Sequence, residues 1–133
     1  MSESQIPEDV HELAGRLFDM ARQGDATLVE YLSHGVDPNL VNHEGQSFVM
    51  LAAYNGHAEL VSQLAEAGAD VNLLNDRAQS PLAGAVFKKN DDVIEALLAA
   101  GADPHAGQPS AIDSARMFGR EDLVTRWDKD ATA

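Results

Sequence analysis

The sequence predicts an all-α solenoid of about four helix-turn-helix repeats, joined by short β-hairpin-like turns. Three observations lead to this fold class. One passage occurs twice at an offset of 33 residues, apolar residues recur at helical spacing in each copy, and serine and glycine recur where helices should begin and end. A period of this length is typical of stacked repeats that share one continuous core. The offset aligns nine identical pairs: Asn42/Asn75, Gln46/Gln79, Ser47/Ser80, Ala52/Ala85, Leu64/Leu97, Ala67/Ala100, Gly68/Gly101, Ala69/Ala102 and Asp70/Asp103.

The copy that begins at Asn75 is the clearer of the two. Ser80 is placed to cap the first free amide groups of a helix, and Pro81 suits the first helical position because its missing N–H would be unpaired there. A second helix follows and ends at Gly101, where a left-handed C-cap favours glycine. Apolar residues occupy one face of each helix: Leu82, Ala85 and Val86 on the first, and Val93, Ile94, Leu97 and Leu98 on the second.

The remaining copies follow the same plan. In the copy that begins at Asn42, Ser47 is the predicted cap, Gly56 and His57 form the break between helices, and Gly68 ends the second helix. Degenerate copies flank these two, as expected for terminal repeats that must present a polar outer face. The result is a single predicted domain, 1–133, with repeats at about 10–41, 42–74, 75–106 and 107–127, a first helix from Pro7 to about Arg22, and a frayed tail at 128–133.

These residues resemble the ankyrin repeat, whose pattern joins a turn, Thr-Pro-Leu-His-x-Ala-Ala, Gly-His, a Val-x-x-Leu-Leu helix and Gly-Ala-Asp. The matching segments are Ser47–Ala53 with Gly56-His57 and Gly68-Ala69-Asp70, then Ser80–Ala83 with Gly101-Ala102-Asp103. The departures are Met50 and Ala83 in place of histidine, and Ala78 and Lys89 in place of turn glycines, where we expect looser or shifted turns. More loosely, the chain is similar to short, stand-alone bacterial ankyrin-repeat proteins, which would make it a complete protein.

Composition argues against several functional classes. Asp and Glu total 22 and Lys and Arg total 9, so the formal net charge is −13. Such a surface repels phosphate, which argues against nucleic acid and anionic membranes as partners. The charge favours a protein partner with a basic surface, or it serves only to keep the protein in solution. Cysteine is absent, and neither a signal peptide nor an apolar run of membrane-spanning length is recognisable, so we expect a cytoplasmic protein.

No pattern in the chain predicts catalysis or a cofactor. The five histidines form no closely spaced pair on one helix, and the sequence has no phosphate-binding glycine loop and no nucleophile elbow. Ser47, Ser80 and Ser110 recur at one repeat position, so helix capping explains all three, and Ser110 has a capping-box-like spacing to Asp113. The aspartates that follow each helix pair are assigned to turn hydrogen bonds: Asp37, Asp70 and Asp103. We therefore expect no enzyme, no metal and no cofactor.

The resemblance implies a protein-binding module, because the two residues before each inter-helix break lie on the concave face of the ankyrin arrangement. Tyr54, Phe87 and Met117 would form an apolar ladder across three repeats, and aromatic residues and Met are enriched at interfaces. The predicted polar contacts are Asn55, Lys88, Arg22, His43, Glu44, Asp76 and Arg77. One alternative is that the ladder residues only cover the inner helices or pack under the neighbouring turn. Another is that the protein, expected to be a monomer, is instead a self-associating structural or stability factor that buries the ladder against a second copy. A third is that the chain is a small-ligand-binding protein or an enzyme. Trp127 with Phe118 forms a second candidate patch unless Trp127 seals the last repeat.

Overall fold

The fold consists of eight α-helices in the computed structural model, which describes the backbone of residues 6–132 and the side chains of residues 12–128. The helices are α1 (Ile6–Gln23), α2 (Thr27–Ser33), α3 (Phe48–Tyr54), α4 (Ala58–Glu66), α5 (Pro81–Phe87), α6 (Asp91–Ala99), α7 (Ala111–Met117) and α8 (Glu121–Thr132). Within these residues the β structure is an isolated antiparallel bridge between Val41 and Ser47. The all-α prediction is confirmed.

The helices stack as pairs. Each odd-numbered helix packs against the even-numbered helix that follows it, and the odd-numbered helices also pack against one another in chain order, α1 on α3, α3 on α5 and α5 on α7. We call α1, α3, α5 and α7 the inner row. The even-numbered helices lie outside it, and α4 packs on α6. This order is that of a solenoid, in which each repeat contacts only its neighbours.

One apolar cluster runs through all the pairs. Its largest buried side chains include Phe48, Leu64, Ile94 and Trp127, and the Phe18 and Phe48 rings meet with centroids 4.9 Å apart. Trp127 is 1% exposed, so it seals the last pair and does not form a surface patch with Phe118. Helix α8 runs from Glu121 to Thr132, past the predicted end of the last repeat at residue 127.

Helix starts follow the predicted caps. The Oγ atoms of Ser47, Ser80 and Ser110 accept hydrogen bonds from the backbone N–H groups three residues later, at 3.1, 3.1 and 3.2 Å. The Asp113 carboxylate accepts a hydrogen bond from Arg116. Helix α1 begins at Ile6, one residue before its predicted start, and the side chains of Pro7, Glu8 and Asp9 lie outside the described residues.

The two turns that lack the expected glycine are not shifted, which corrects the prediction. Ala78 and Lys89 have φ values of 61° and 59°, and the equivalent Gly45 and Gly56 have 76° and 85°. The Ala78 N–H donates to the Asn75 carbonyl and the Lys89 N–H to the Val86 carbonyl, each at 3.0 Å. Both φ values lie in the small left-handed region open to any L-residue, at a cost of about 1–2 kcal/mol. The neighbouring hydrogen bonds offset that cost.

Turn side chains hold successive repeats in register. The Oδ1 atoms of Asp37, Asp70 and Asp103 accept hydrogen bonds from the backbone N–H two residues later, all at 2.9 Å, as predicted. Between repeats, Asn39 Oδ1 accepts from the Asp70 N–H and Asn72 Oδ1 accepts from the Asp103 N–H, both at 2.7 Å. His57 Nε2 lies 2.8 Å from the Arg22 carbonyl, which confirms its role at the inter-helix break. The Asp and Asn contacts recur at the 33-residue period of the sequence and tie successive repeats together.

Candidate functional site

Three helices of the inner row each end in a large exposed apolar residue. Tyr54, Phe87 and Met117 are the last residues of α3, α5 and α7, with 46%, 54% and 69% of each residue exposed. These helices have the same length of seven residues, and each is preceded by a serine cap. Each of the three final residues lies at the same distance along its helix from the capping serine, so their side chains lie at equivalent positions in successive repeats. The ladder therefore follows from the repeat itself.

The three ladder residues line one groove of about 580 Å³ together with Phe118, Met50 and Gly84. The Phe118 ring packs edge-on against Phe87, with centroids 5.5 Å apart and an interplanar angle of 66°. Such edge-to-face pairs are favourable because the positive edge of one ring meets the negative face of the other. The groove therefore has an ordered aromatic wall in the unbound protein.

Gly84 keeps part of the groove open beside Tyr54. A Cβ at this position would lie 3.6 Å from Tyr54 Cδ1, in ordinary van der Waals contact. Glycine within a helix costs about 0.5–1 kcal/mol relative to alanine. An interior glycine in α5 is thus a sequence signal of close approach, and it was available but not used in the sequence-based prediction.

Cationic side chains border the apolar ladder. The Lys88 Nζ atom lies 4.6 Å above the centre of the Tyr54 ring, within cation–π distance. Arg77 lines both the groove and a neighbouring cleft of about 230 Å³ between two hairpin tips, which also contains His43, Glu44 and Asp76. The Asp76 N–H donates to the Glu44 carbonyl at 3.2 Å and ties the two tips together. Four of the predicted polar residues therefore meet in this cleft, next to the groove.

Two predicted site residues are not brought to the groove. Arg22 forms an ion pair with Asp19 at 2.7 Å, and the Asn55 side-chain amide donates to the Leu51 carbonyl at 2.7 Å. Neither lines the groove or the cleft. Asn55 holds the repeat position of Lys88 and Arg22 that of Tyr54, but both side chains bond within the protein.

Away from the groove, Arg22, Arg116, Arg120 and Arg126 are held by carboxylates. Arg120 bonds Asp91 and Asp122 at 3.0 Å each, and these carboxylates raise the pKa of Arg120. The Arg120 hydrogen bond lowers the pKa of Asp122, and the Arg126 hydrogen bond lowers the pKa of Glu95. Asp91 and Glu95 on α6 are thus paired with Arg120 and Arg126 at α8.

Sequence reasoning missed several groove residues. Met50 was treated only as a departure from a pattern, and Pro109 carried no signal at all. Phe118 was placed on the concave face by its repeat position, but it was also assigned to a patch with Trp127. In the part of the chain with described side chains, no group of three or more His, Asp or Glu is arranged to hold a metal ion. Among the described helices, none combines the length and apolar character needed to cross a membrane.

Comparison with known proteins identifies the family. A family model described as ankyrin repeats (3 copies) matches residues 17–108. A Pseudomonas aeruginosa protein named as an ankyrin repeat protein is 46% identical over 65 residues, which is 46% of this chain and 38% of that relative. The chain thus spans well under half of that relative's length. The model covers more than half of the chain, so the protein belongs to the ankyrin-repeat family, whose members are generally non-enzymatic protein-interaction modules.

Proposed function

We propose that this ankyrin-repeat protein is a non-catalytic module that binds a protein partner on the concave face of its inner row. The observation that supports this most directly is the exposed ladder of Tyr54, Phe87 and Met117, joined with Phe118 in one groove. Large apolar side chains that remain exposed on a folded protein and lie together are typical of interaction sites. The repeats at about 42–74, 75–106 and 107–127 each contribute side chains to this groove, and the repeat at about 10–41 contributes none.

The ladder has the properties of interface anchors. Aromatic rings and Met bury large areas and pack adaptably, and they are enriched at the centres of interfaces. The Phe87–Phe118 contact and the Lys88–Tyr54 contact already order part of this surface. Because ordering side chains on binding costs free energy, a partly ordered surface retains more of the energy of contact.

Polar selectivity would come from the cleft beside the ladder. His43, Glu44, Asp76 and Arg77 line it and are within reach of a partner seated in the groove. We assign a smaller role to Arg22 and Asn55, since both already bond within the protein. Beyond the groove, the net charge of −13 favours a partner whose remaining surface is basic. We further propose that the protein is a cytoplasmic monomer.

The test is capture of a partner from a lysate of the source cell on immobilised protein, at low and at physiological salt. Wild type is compared with Tyr54→Ala/Phe87→Ala and with Leu74→Ala, an exposed leucine outside the groove. We expect a protein retained by wild type and by Leu74→Ala, and lost with the double variant. Equal retention by all three proteins would move the site away from the inner row.

Self-association is the rival use of the same ladder. A homodimer would bury Tyr54, Phe87 and Met117 against a second copy, and it would then lose the free groove. Sedimentation at micromolar concentration separates the two: a monomer whose state is unchanged in Tyr54→Ala/Phe87→Ala excludes the dimer. A dimer that dissociates in the double variant would replace the partner-binding proposal.

A further inference from the structure

The groove differs in charge from the rest of this acidic protein. Asp and Glu make up 22 of 133 residues, about one in six. None of the 16 residues that line the groove, all of them in the described part of the chain, is Asp or Glu, and one of them is Arg77. The groove is therefore an apolar strip with one cation and no carboxylate in its lining, on a molecule of charge −13.

The two cations at the groove lack carboxylate partners. Arg77 and Lys88 form no ion pair with any described side chain, although Arg77 shares its cleft with Glu44 and Asp76. Elsewhere Arg22, Arg116 and Arg120 each bond a carboxylate at 2.7–3.1 Å. Arg16 and Lys89 likewise form no ion pair with a described side chain, so Arg77 and Lys88 are distinguished by their place beside an apolar groove that has no Asp or Glu in its lining.

The Tyr54 ring does not satisfy Lys88 in the way a carboxylate would. A cation–π contact at an exposed site contributes about 0.5–1 kcal/mol and leaves the ammonium charge in place. The contact at 4.6 Å fixes where the charge lies, beside the first apolar anchor. The ammonium group retains its hydrogen-bond donors for an incoming acceptor.

Resting on the function proposed above, we propose that the groove takes a peptide segment of the partner in which an Asp or Glu side chain stands next to apolar or aromatic residues. The apolar residues pack on Tyr54, Phe87 and Met117, and the carboxylate bonds to Arg77 or Lys88. The guanidinium group matches a carboxylate with two parallel hydrogen bonds, which are stronger than neutral ones.

The carboxylate belongs to a side chain and not to the partner's C-terminus. Capture of a terminal carboxylate commonly uses a group of free backbone N–H donors. At the hairpin beside the groove these donors are occupied, since the N–H groups of residues 76–79 bond to the Glu44 carbonyl, to Asn75 Oδ1 and to the Asn75 carbonyl. The Ala83 N–H is taken by Ser80. Side-chain cations remain as the donors.

The net negative charge does not oppose this contact. At physiological salt, exposed charges are screened over about 8 Å, so a seated carboxylate responds mainly to the nearest groups. The overall charge acts earlier, on the approach of the whole partner. A partner that has a basic surface and one segment with acidic and apolar residues satisfies both the long-range attraction and the contact in the groove.

The test is selection of a random peptide library, displayed with its C-terminus fused to the carrier, on the immobilised full chain. Four proteins are compared: wild type, Arg77→Gln/Lys88→Gln, Arg16→Gln/Lys89→Gln and Tyr54→Ala/Phe87→Ala. The third variant is the matched control, because it also removes one arginine charge and one lysine charge, at two positions outside the groove lining. Circular dichroism verifies that each variant is folded.

We expect wild type and the control to enrich peptides in which Asp or Glu adjoins aromatic or aliphatic residues. Arg77→Gln/Lys88→Gln should lose the acidic preference and keep the apolar one, and Tyr54→Ala/Phe87→Ala should lose both. A selected peptide synthesised with its acid changed to the amide should bind wild type about tenfold more weakly. That difference should disappear in Arg77→Gln/Lys88→Gln.

The two proposals fail in different ways. Peptides that depend on Tyr54 and Phe87 but show no acidic preference, or a basic one, would overturn this inference and leave the binding groove standing. Selection that is unchanged in Tyr54→Ala/Phe87→Ala would overturn the groove, and the inference with it.

Discussion

The groove side of the inner row and the outer helices α6 and α8 differ in how far their apolar side chains are buried and their charged side chains are paired within the protein. On the outer side, Trp127 and Leu97 are buried, Arg120 bonds Asp91 and Asp122, and Arg126 bonds Glu95. On the groove side, large apolar residues remain exposed and the adjacent cations have no carboxylate partner among the described side chains. The outer helices bury these apolar side chains and pair these arginines, although the buried Trp127 Nε1 has no hydrogen-bond partner among the described residues, whereas the groove leaves its apolar residues exposed.

The difference identifies which surface has free energy to gain from a partner. Apolar area that is already buried and charges that are already paired contribute nothing further on association. Exposed apolar area and an unpaired cation beside it each add favourable free energy when a partner covers the apolar area and pairs with the charge. Four predictions would sharpen or break this comparison, and they are taken from the largest expected effect to the smallest.

The first prediction contrasts a buried with an exposed aromatic residue. Trp127→Ala should lower the free energy of unfolding by about 3–5 kcal/mol, because it empties a fully buried site. Phe87→Ala should lower it by less than about 1 kcal/mol, since over half of Phe87 is already exposed. Urea unfolding followed by circular dichroism measures both. If the two variants lost comparable free energy of unfolding, Phe87 would support the fold and would not be a residue left exposed for partner binding.

The second prediction concerns the end of an outer helix. Gly68 has a φ of 100°, outside the left-handed region that L-residues tolerate, so Gly68→Val should cost about 1–2 kcal/mol. Lys89, with a φ of 59°, lies inside that region. Lys89→Gly should therefore change stability by less than about 1 kcal/mol, because relief of strain is offset by the greater freedom of glycine in the unfolded chain. An unchanged melting temperature for Gly68→Val would contradict this assignment.

The third prediction separates stability from binding. Gly84→Ala should raise the free energy of unfolding by about 0.5–1 kcal/mol, since alanine favours the helix and its Cβ meets Tyr54 at an ordinary distance of 3.6 Å. The added methyl group narrows the groove, so partner capture should weaken. A more stable variant with undiminished binding would show that this part of the groove is not used.

The fourth prediction tests the paired outer face. The Arg126 hydrogen bond holds the pKa of Glu95 below the ordinary value of 4.5, so the ion pair contributes stability above that value and loses it as pH falls through the folded pKa. Both groups are largely exposed, so Glu95→Gln should cost less than about 1 kcal/mol at neutral pH and nothing once Glu95 is protonated. Glu59→Gln, outside the ion pairs of the described residues, is the control. If the difference in stability between wild type and Glu95→Gln did not change with pH, the ion pair would be excluded as its cause.

Local rules explain why much of the helix pattern was predictable. Ser47, Ser80 and Ser110 each cap the helix that follows, and a serine cap needs only its own backbone. The same local view failed at Ala78 and Lys89, where glycine was missing but the turn was kept by hydrogen bonds from residues on either side.

The sequence by itself determined the repeat, the serine caps and the phase that brings Tyr54, Phe87 and Met117 to equivalent positions, because each depends on spacing along one helix. Tertiary structure alone decided which charges remain available. Arg120 reaches Asp91 across 29 residues and Arg126 reaches Glu95 across 31, and no periodicity distinguishes these arginines from Arg77. The edge-on contact of Phe118 with Phe87 was likewise set by packing. Pairing depends on which side chains the stacked repeats bring within a few ångströms, and that is a property of the assembled solenoid.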